Sequence, residues 1–250
     1  MKRCLISVAL ILAVVGTLAC TQAPPTPAAP AGGAPAGGAP AGPALTLKLA
    51  MYNPPTHIFT KTFKKYLPSV EQSTNGRVKI EIYDSETLGK ANEFFDLVQR
   101  GVADMAFHHP PYQSATFTLF DEMALPFVYR DYQGQMDTWQ NGMEQLYLEE
   151  LKAKGLDKVG SFGFVTAGAR YVLTKKPVKV PADLKGMKLR AASSMERDFA
   201  DVAGASGVAM VASEVYEGLE RGIIDGALVV HTQLFDWKLA EVAKQLVYFP

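Results

Sequence analysis

Residues 177–194, PVKVPADLKGMKLRAASS, are the stretch that decides the fold of this chain. Within it, residues 181–186 predict one helical turn, because proline stands at its start and glycine at its end. Residues 187–191 alternate apolar and polar side chains, which predicts a short β-strand. Arg190 falls at the carboxyl end of that strand, where ligands of open α/β sheets bind. Its guanidinium group can hold a carboxylate through two parallel hydrogen bonds, although a solvated charge at a strand end is the alternative.

The chain on both sides of this stretch alternates strand and helix patterns, so an α/β fold is expected. Leucines at 45, 47 and 49 predict a first strand, and apolar residues at 59, 63, 67 and 70 predict a helix that ends at residues 75–76. Further strands are predicted at 78–82, 102–107, 157–164, 169–173, 207–211 and 223–229. Further helices are predicted at 91–100, 133–154, 196–202, 214–221 and 233–245, with Ser213 as the N-cap of the fourth.

A weak internal repeat relates residues 95–107 to residues 216–228. Both segments predict a helix, then a glycine that ends it, then a strand that carries an aspartate; the glycines are Gly101 and Gly222. Two similar α/β units suggest two lobes with a cleft between them, although chance could also produce such a similarity.

Seven short motifs follow one another along the second half of the chain: GAR at 168–170, PV at 177–178, PADLKGMKLR at 181–190, GA at 204–205, SEVY at 213–216, GIIDGA at 222–227 and EVAK at 241–244. Together, residues 159–246 resemble the second domain of the substrate-binding proteins of TRAP (tripartite ATP-independent periplasmic) transporters, which import organic acids. The resemblance implies an α/β, two-lobed periplasmic-binding-protein-like fold with a hinged cleft. Family members continue beyond the point that matches Pro250, so we also expect the first lobe to lack a C-terminal part.

The resemblance also implies which residues line the cleft. Arg190, which ends the longest motif, is implied to bind the substrate carboxylate, and Arg170 has the family's spacing for a second cleft arginine. The loop at Tyr52 and the adjacent His108 and His109 are expected to line the same cleft, with a solvated loop as the alternative for the histidines.

Two positions depart from the sialic-acid branch of this family. Val229 stands where that branch has an asparagine, and Ala212 stands where an aromatic residue often occurs. Both changes predict a less polar or wider pocket. The expected ligand is therefore a monocarboxylate with an apolar or aromatic body, with a small C4-dicarboxylate as the second choice.

Residues 1–20 resemble the signal peptide of a bacterial lipoprotein. Lys2 and Arg3 precede an apolar run at 5–18, which is shorter than a typical transmembrane helix. Cys20 follows at the position that is lipidated in such proteins. An ordinary signal peptide with an incidental cysteine is the alternative. A lipid anchor would hold the protein at a bacterial membrane, in the periplasm.

Residues 21–44 contain only Thr, Gln, Ala, Pro and Gly, which predicts an extended tether rather than a folded segment. Lobe I is expected at 45–167 and lobe II at 168–250. The expected partners are an organic acid and the membrane permease subunits of a TRAP transporter.

Composition and missing motifs bear on the other function classes. The chain has 25 basic and 25 acidic residues, so no general attraction to nucleic acid is expected. The sequence contains no GxSxG, HExxH or phosphate-loop motif, and adjacent histidines lack the spacing of a metal-binding helix. We therefore expect a binding protein without enzymatic activity, metal or cofactor. A sensor or scaffold lipoprotein is the alternative, and a hydrolase that uses His108 or His109 is a weaker one.

Overall fold

The alternating leucines form β1, Leu45–Ala50, which is the central strand of a three-stranded parallel sheet. β1 pairs with β2, Val78–Tyr83, on one side and with β3, Met105–Ala106, on the other. We call this sheet, with the order β2-β1-β3, sheet I. In this computed structural model, the structure describes residues 44–121, 128–156, 159–166 and 170–248.

The helices described in the first half of the chain are α1, Ile58–Ser73; α2, Phe94–Gln99; α3, Thr118–Asp121; α4, Tyr132–Thr138; and α5, Glu144–Ala153. Phe94 and Leu97 of α2 pack with Ala50 and Ala103 against sheet I. A second core cluster is mainly aromatic and consists of Phe95, Phe117, Phe120, Trp139, Tyr147 and Leu151. The large rings exclude water from the space between α3, α4 and α5, which stabilises these short helices.

The second half of the chain forms a five-stranded mixed sheet, sheet II. Its strands are β4, Arg170–Thr174; β5, Lys188–Ala191; β6, Ser206–Ala209; β7, Gly226–Val230; and β8, Gln245–Tyr248. They lie in the order β6-β5-β7-β4-β8. β5 runs parallel to both of its neighbours, whereas β4 runs antiparallel to β7 and β8. All five residues of β7 are buried, as expected for a central strand covered on both faces.

Short helices cover sheet II: α6, Ser194–Val202; α7, Val215–Glu220; α8, His231–Asp236; and α9, Leu239–Val242. A 3₁₀ turn at Pro181–Leu184 precedes β5. The helical turn and the strand predicted at 181–191 are therefore present. The α/β class predicted from the sequence is confirmed, whereas the lobe boundaries at 45–167 and 168–250 stay a prediction.

The internal repeat is visible in how two helices end. α2 ends before Gly101, which has a φ angle of +70°, and α7 ends before Gly222, which has a φ angle of +73°. Residues with a Cβ atom rarely adopt this left-handed conformation, so glycine allows the chain to leave each helix and enter the next strand.

The two repeated aspartates also make the same contact. Asp104 accepts a hydrogen bond from the backbone N–H of Lys48 on β1 at 2.8 Å, and Asp225 accepts one from the backbone N–H of Lys188 on β5 at 2.9 Å. Asp104 directly precedes β3, and Asp225 directly precedes β7. Each carboxylate therefore holds the start of the strand that follows it against the parallel neighbour, β1 or β5. The repeat is thus a shared structural unit, one copy in each sheet.

The single helix predicted at 133–154 is wrong, because the chain is interrupted in the middle of this segment. α4 and α5 are separated by a π-helical turn at Trp139–Met143. Within that turn Gly142 has a φ angle of +128°, outside helical geometry. Trp139, the first residue of this turn, packs in the aromatic cluster.

The helix predicted at 233–245 is also wrong. α8 ends before Lys238, which has a left-handed φ angle of +56°, and the chain then forms α9 and β8. β8 is a strand because its residues pair with β4. Phe235 of α8 and Leu246 of β8 are 69% and 44% exposed.

Two smaller predictions also fail. Ser213 is not the N-cap of α7, because it lies inside a 3₁₀ turn at Ala212–Glu214 and its hydroxyl has no partner among the described residues. Residues 159–166 are not a strand, and residues 157–158 lie outside the described residues.

The predicted signal peptide at 1–20, with Cys20, lies outside the described residues, as does the tether except for its last residue, Ala44. In the part that the structure describes, no helix is both long and apolar enough to cross a membrane.

Candidate functional site

Arg190 is buried at the carboxyl end of β5, with only 1% of its surface exposed. Its Nε donates to the carbonyl oxygen of Met210 at 2.7 Å, and its Nη1 donates to the carbonyl oxygen of Leu228 at 2.9 Å. These carbonyls belong to the chain that leaves β6 and to β7, so the strands beside β5 fix the guanidinium plane. Nη2 lies 3.5 Å from the hydroxyl oxygen of Tyr112.

The charge of Arg190 has no anionic partner among the described residues, since none of their carboxylates forms an ion pair with it. Burying a cation without a counter-ion is unfavourable by several kcal/mol or more, and carbonyl dipoles offset only part of this. The remaining N–H groups of the guanidinium fork can therefore bind an anion strongly.

Arg170, the first residue of β4, has a partner. Its Nη2 lies 3.0 Å from Oε1 of Glu196, and the side chain of Glu196 is almost completely buried. The other carboxylate oxygen of Glu196 accepts the backbone N–H of Ala192 at 2.6 Å. Glu196 lies in the first turn of α6, and the N-cap residue Ser193 accepts its backbone N–H at 3.2 Å. Of the two candidate arginines, only Arg170 forms an ion pair with a carboxylate of the described residues.

One cavity of about 1380 Å³ brings together five of the predicted site residues: Tyr52, His108, His109, Arg170 and Arg190. Much of the remaining wall is aromatic and includes Phe59, Phe95, Phe107, Tyr112, Phe120 and Trp139. Tyr52 follows β1, the histidines follow β3, and Arg190 lies near the end of β5, so the carboxyl ends of strands from both sheets contribute to the cavity.

His108 and His109 are held neutral by burial. Burial lowers the pKa of His108 to about 4. Its ring packs against Phe95 and Phe117 at centroid distances of 5.9 and 5.7 Å. Burial also lowers the pKa of His109 well below its ordinary value, and the charges of Arg170 and Arg190 lower it further. Near neutral pH, neither ring adds positive charge to the cavity.

Tyr52 and Tyr112 supply two hydroxyl groups that stay protonated, because burial raises the pKa of both phenols. Their rings meet edge to face at 5.7 Å, and Tyr112 meets His109 in the same way at 4.7 Å. The hydroxyl of Tyr112 accepts the backbone N–H of Ala212 at 3.1 Å. Tyr112 thereby joins the loop after β3 to the loop after β6.

The structure does not place the side chains of Ala212 and Val229 in the cavity wall. Val229 is fully buried in the core cluster that contains Leu173 and Leu234, while its neighbours Leu228 and Val230 line the cavity. Ala212 is 2% exposed, and the contact it makes at the site is through its backbone N–H. The sequence argument for a pocket widened at these two positions is therefore not supported.

Sequence reasoning missed Glu196 and did not single out Tyr112. Ser193 and Glu196 have the Ser-x-x-Glu spacing of a capping box, so the sequence carried a signal for a local role. The pairing of Glu196 with Arg170 had no such signal, because 26 positions, including strand β5, separate them. In the described residues, no group of three or more His, Cys, Asp or Glu side chains could hold a metal ion.

The profile of the family DctP, described as bacterial extracellular solute-binding protein, family 7, matches residues 49–249. The chain belongs to this family. The predicted relationship to the TRAP binding proteins is thereby confirmed, and the match extends beyond the motifs of the second half to residues 49–249.

Named relatives of this family-7 protein are about 30% identical to it over the aligned residues. The C4-dicarboxylate-binding periplasmic protein DctP of Rhodobacter capsulatus is 30% identical over 186 residues, which cover 72% of this chain and 54% of the relative. The 2,3-diketo-L-gulonate-binding periplasmic protein YiaO of Escherichia coli is 30% identical over 192 residues, which cover 76% of this chain and 57% of the relative. The chain thus spans about half the length of the curated relatives it matches.

Solved structures of the family agree with the fold of this family-7 protein. A TRAP periplasmic solute-binding protein from Citrobacter koseri, with bound D-glucuronate, has a TM-score of 0.74 and 27% identity; the match covers 81% of this chain and 67% of that one. A marine metagenome TRAP solute-binding protein specific for aromatic acid ligands, with 3-hydroxybenzoate, has a TM-score of 0.72 and 25% identity; coverage is 82% and 63%. The predicted two-lobed binding-protein fold is confirmed.

Proposed function

We propose that this chain is an extracytoplasmic solute-binding protein that captures an organic acid through its carboxylate and delivers it to a TRAP permease. The observation that carries the proposal is Arg190, a buried and rigidly held cation whose charge no described side chain neutralises. The description of the family supports the extracytoplasmic location and a role in binding rather than in catalysis.

In the proposed binding step, the carboxylate enters the cavity and accepts hydrogen bonds from the N–H groups of Arg190 that do not bind carbonyls. Tyr52 and Tyr112 are protonated and close to the arginines, so they can donate to a ligand oxygen. Neutral His109 has one donor and one acceptor nitrogen, so it can donate a hydrogen bond to a hydroxyl group of the ligand or accept one from it. The aromatic walls exclude water, which strengthens the ion pair.

The aromatic cavity wall, rather than Ala212 and Val229, indicates the chemical character of the rest of the ligand. Rings of Phe59, Phe107 and Tyr52 line the cavity, which favours an acid with an apolar or aromatic body. The family-7 structure with 3-hydroxybenzoate supports this preference. A small dicarboxylate stays the second choice, because one relative is named for binding C4-dicarboxylates.

The membrane anchor remains part of this proposal. Lipid on Cys20, followed by a tether at 21–44, would keep the protein beside the permease that it serves. The intact mass of protein extracted from membranes tests this step, because an unmodified mature chain that starts elsewhere would refute it.

The experiment that tests the binding function is a thermal-shift screen of organic acids, followed by calorimetric titration of the best ligand. A ligand that binds only the folded state raises the melting temperature, so a shift reveals which of the screened acids bind. If no acid produces a shift, the sensor or scaffold alternative replaces the transport function.

Variants of Arg190 then test the mechanism. Arg190→Lys keeps the charge but loses the planar fork, so affinity should fall substantially. Arg190→Ala should cost more, about 2–5 kcal/mol, because the carboxylate would be buried without a partner. Arg170→Ala should cost less than Arg190→Ala, because Glu196 already neutralises Arg170.

The matched control is Arg221→Ala, which removes an exposed arginine directly after α7 whose ion pair among the described residues is with Glu217. Its affinity should equal that of the unmodified protein. The melting temperature of each variant without ligand shows whether the fold is kept. Unchanged affinity in a folded Arg190→Ala variant would refute the carboxylate clamp.

A further inference from the structure

Two of the three arginines that line the cavity have a carboxylate partner among the described residues. Nε of Arg130 lies 3.2 Å from Oδ2 of Asp131, and Nη2 of Arg170 lies 3.0 Å from Oε1 of Glu196. Asp104 is a hydrogen-bond acceptor for the backbone of sheet I, at the edge of the cavity. Within the described residues, Arg190 is the lining arginine without a carboxylate partner. The part of the cavity near Arg190 and Arg170 therefore carries one uncompensated positive charge.

We propose that Glu196 is a specificity-determining residue that restricts this site to ligands with a single carboxylate, by occupying the second arginine. The inference rests on the proposed function, because it concerns which organic acid the site accepts. It goes beyond the family's carboxylate–arginine contact, because it assigns a role to the acidic residue that opposes a second contact.

The position of Glu196 explains why a ligand cannot easily displace it. Its backbone N–H is capped by Ser193 and its Oε2 accepts the N–H of Ala192, so the side chain is fixed at both ends in the first turn of α6. A second ligand carboxylate that took Arg170 would leave Glu196 buried, charged and without its partner. Separating a buried ion pair in this way is strongly unfavourable.

The histidines do not change this balance near neutral pH. His108 and His109 both lie in the cavity wall, and burial keeps both rings uncharged. A second ligand carboxylate near Arg190 would therefore find neutral rings and an arginine, Arg170, that Glu196 already pairs with. Repulsion by Glu196 acts against a dicarboxylate and not against a monocarboxylate of the same shape.

The test compares pairs of acids that differ mainly in the second carboxylate: butyrate with succinate, hexanoate with adipate, and benzoate with isophthalate. Calorimetric titration at about pH 7.5 keeps every carboxylate ionised. We expect the best monocarboxylate to bind at least about tenfold more tightly than its dicarboxylate partner. The three dicarboxylates differ in the distance between their two carboxylates. Weak binding of all three therefore cannot be explained by one unsuitable distance.

Glu196→Gln is the decisive variant, because glutamine keeps an acceptor for the N–H of Ala192 but releases the charge of Arg170. The ratio of dicarboxylate to monocarboxylate affinity should rise by about tenfold or more in this variant. The matched control is the double variant Arg170→Gln/Glu196→Gln, which again leaves one cation at the site. It should return to the selectivity of the unmodified protein.

The outcomes separate the inference from the proposed function. If no acid binds the unmodified protein, the proposed function fails. If acids bind but mono- and dicarboxylates bind equally well, the inference is overturned while the proposed function stands. A Glu196→Gln variant that binds acids with an unchanged ratio also overturns it. The comparison in the unmodified protein needs no variant, so a folding defect in Glu196→Gln cannot leave the inference untested.

Discussion

At the residue scale, His108 is a polar ring in an apolar wall. Both ring nitrogens are buried without a hydrogen-bond partner among the described residues, and Phe95 and Phe117 pack against the ring. Desolvation therefore disfavours the charged form, and the pKa falls from 6.5 to about 4. This residue makes the stability of the protein depend on pH.

We predict that the free energy of unfolding falls as the pH falls from 6.5 toward about 4. In this window the unfolded chain binds a proton at His108 and the folded chain does not, so acid favours unfolding. Each histidine of this kind contributes a slope of up to about 1.4 kcal/mol per pH unit. His57 and His109, whose pKa values burial also lowers, act in the same direction.

His108→Phe keeps the shape of the ring and removes the titration, so the variant should lose part of this slope. Chemical denaturation at several pH values measures it. Above about pH 7.5 the free energies of variant and parent should change in parallel, because neutral histidines bind no protons in either state. An unchanged slope below pH 6.5 would show that His108 is not held neutral in the folded protein.

At the element scale, the interruption between α4 and α5 depends on one backbone conformation. Gly142 has a φ angle of +128°, and no atom lies within 4 Å of the position that a Cβ atom would take. A side chain there would meet no steric obstacle from its surroundings. The penalty for replacing this glycine is therefore set by the backbone alone.

We predict that Gly142→Ala lowers the free energy of unfolding by about 1–3 kcal/mol. Gly134→Ala is the matched control, because Gly134 lies inside α4 with an ordinary φ angle and room for a Cβ atom. That control should be neutral or stabilise the protein by about 0.5–1 kcal/mol. Equal melting temperatures for the two variants would mean that the interruption is not held by the glycine.

At the scale of the whole molecule, two carboxylates link the first half of the chain to the second. Asp121 of α3 accepts hydrogen bonds from the hydroxyl of Ser194 and the N–H of Met195 at the start of α6. Asp236 of α8 accepts the N–H of Ile58 at the start of α1 at 3.1 Å. Each half thus supplies an anion to the positive end of a helix in the other half.

We predict that Asp121→Asn and Asp236→Asn each lower the free energy of unfolding by about 1–2 kcal/mol and weaken ligand binding. Neither aspartate lines the cavity, but the cavity wall comes from both halves, so looser contact between them should reduce affinity. Calorimetric titration and denaturation measure the two effects.

The matched control is Asp183→Asn, because among the described residues Asp183 accepts hydrogen bonds from the nearby N–H groups of Lys179 and Val180 and from no distant group. It should affect stability and leave affinity unchanged. If all three variants bind ligand equally well, contact between the halves does not govern binding.

The sequence by itself determined the parts of this protein that depend on neighbours along the chain. The turn and strand at 181–191, the glycine ends at Gly101 and Gly222, and the paired repeat follow from backbone preferences within a few residues. The pattern at 181–191 placed Arg190 at the end of the predicted strand, and the resemblance to the TRAP binding proteins implied its role.

Only the tertiary structure decided which face and which partner each site residue has. The whole of β7 is buried, so no alternation of apolar and polar residues shows that Val229 faces the core while Leu228 and Val230 face the cavity. Residues 245–248 become a strand because β4 offers an edge to pair with. Arg170 and Glu196 meet because β4 and α6 are packed together. Contacts of this kind join residues far apart in the chain, and local sequence does not contain them.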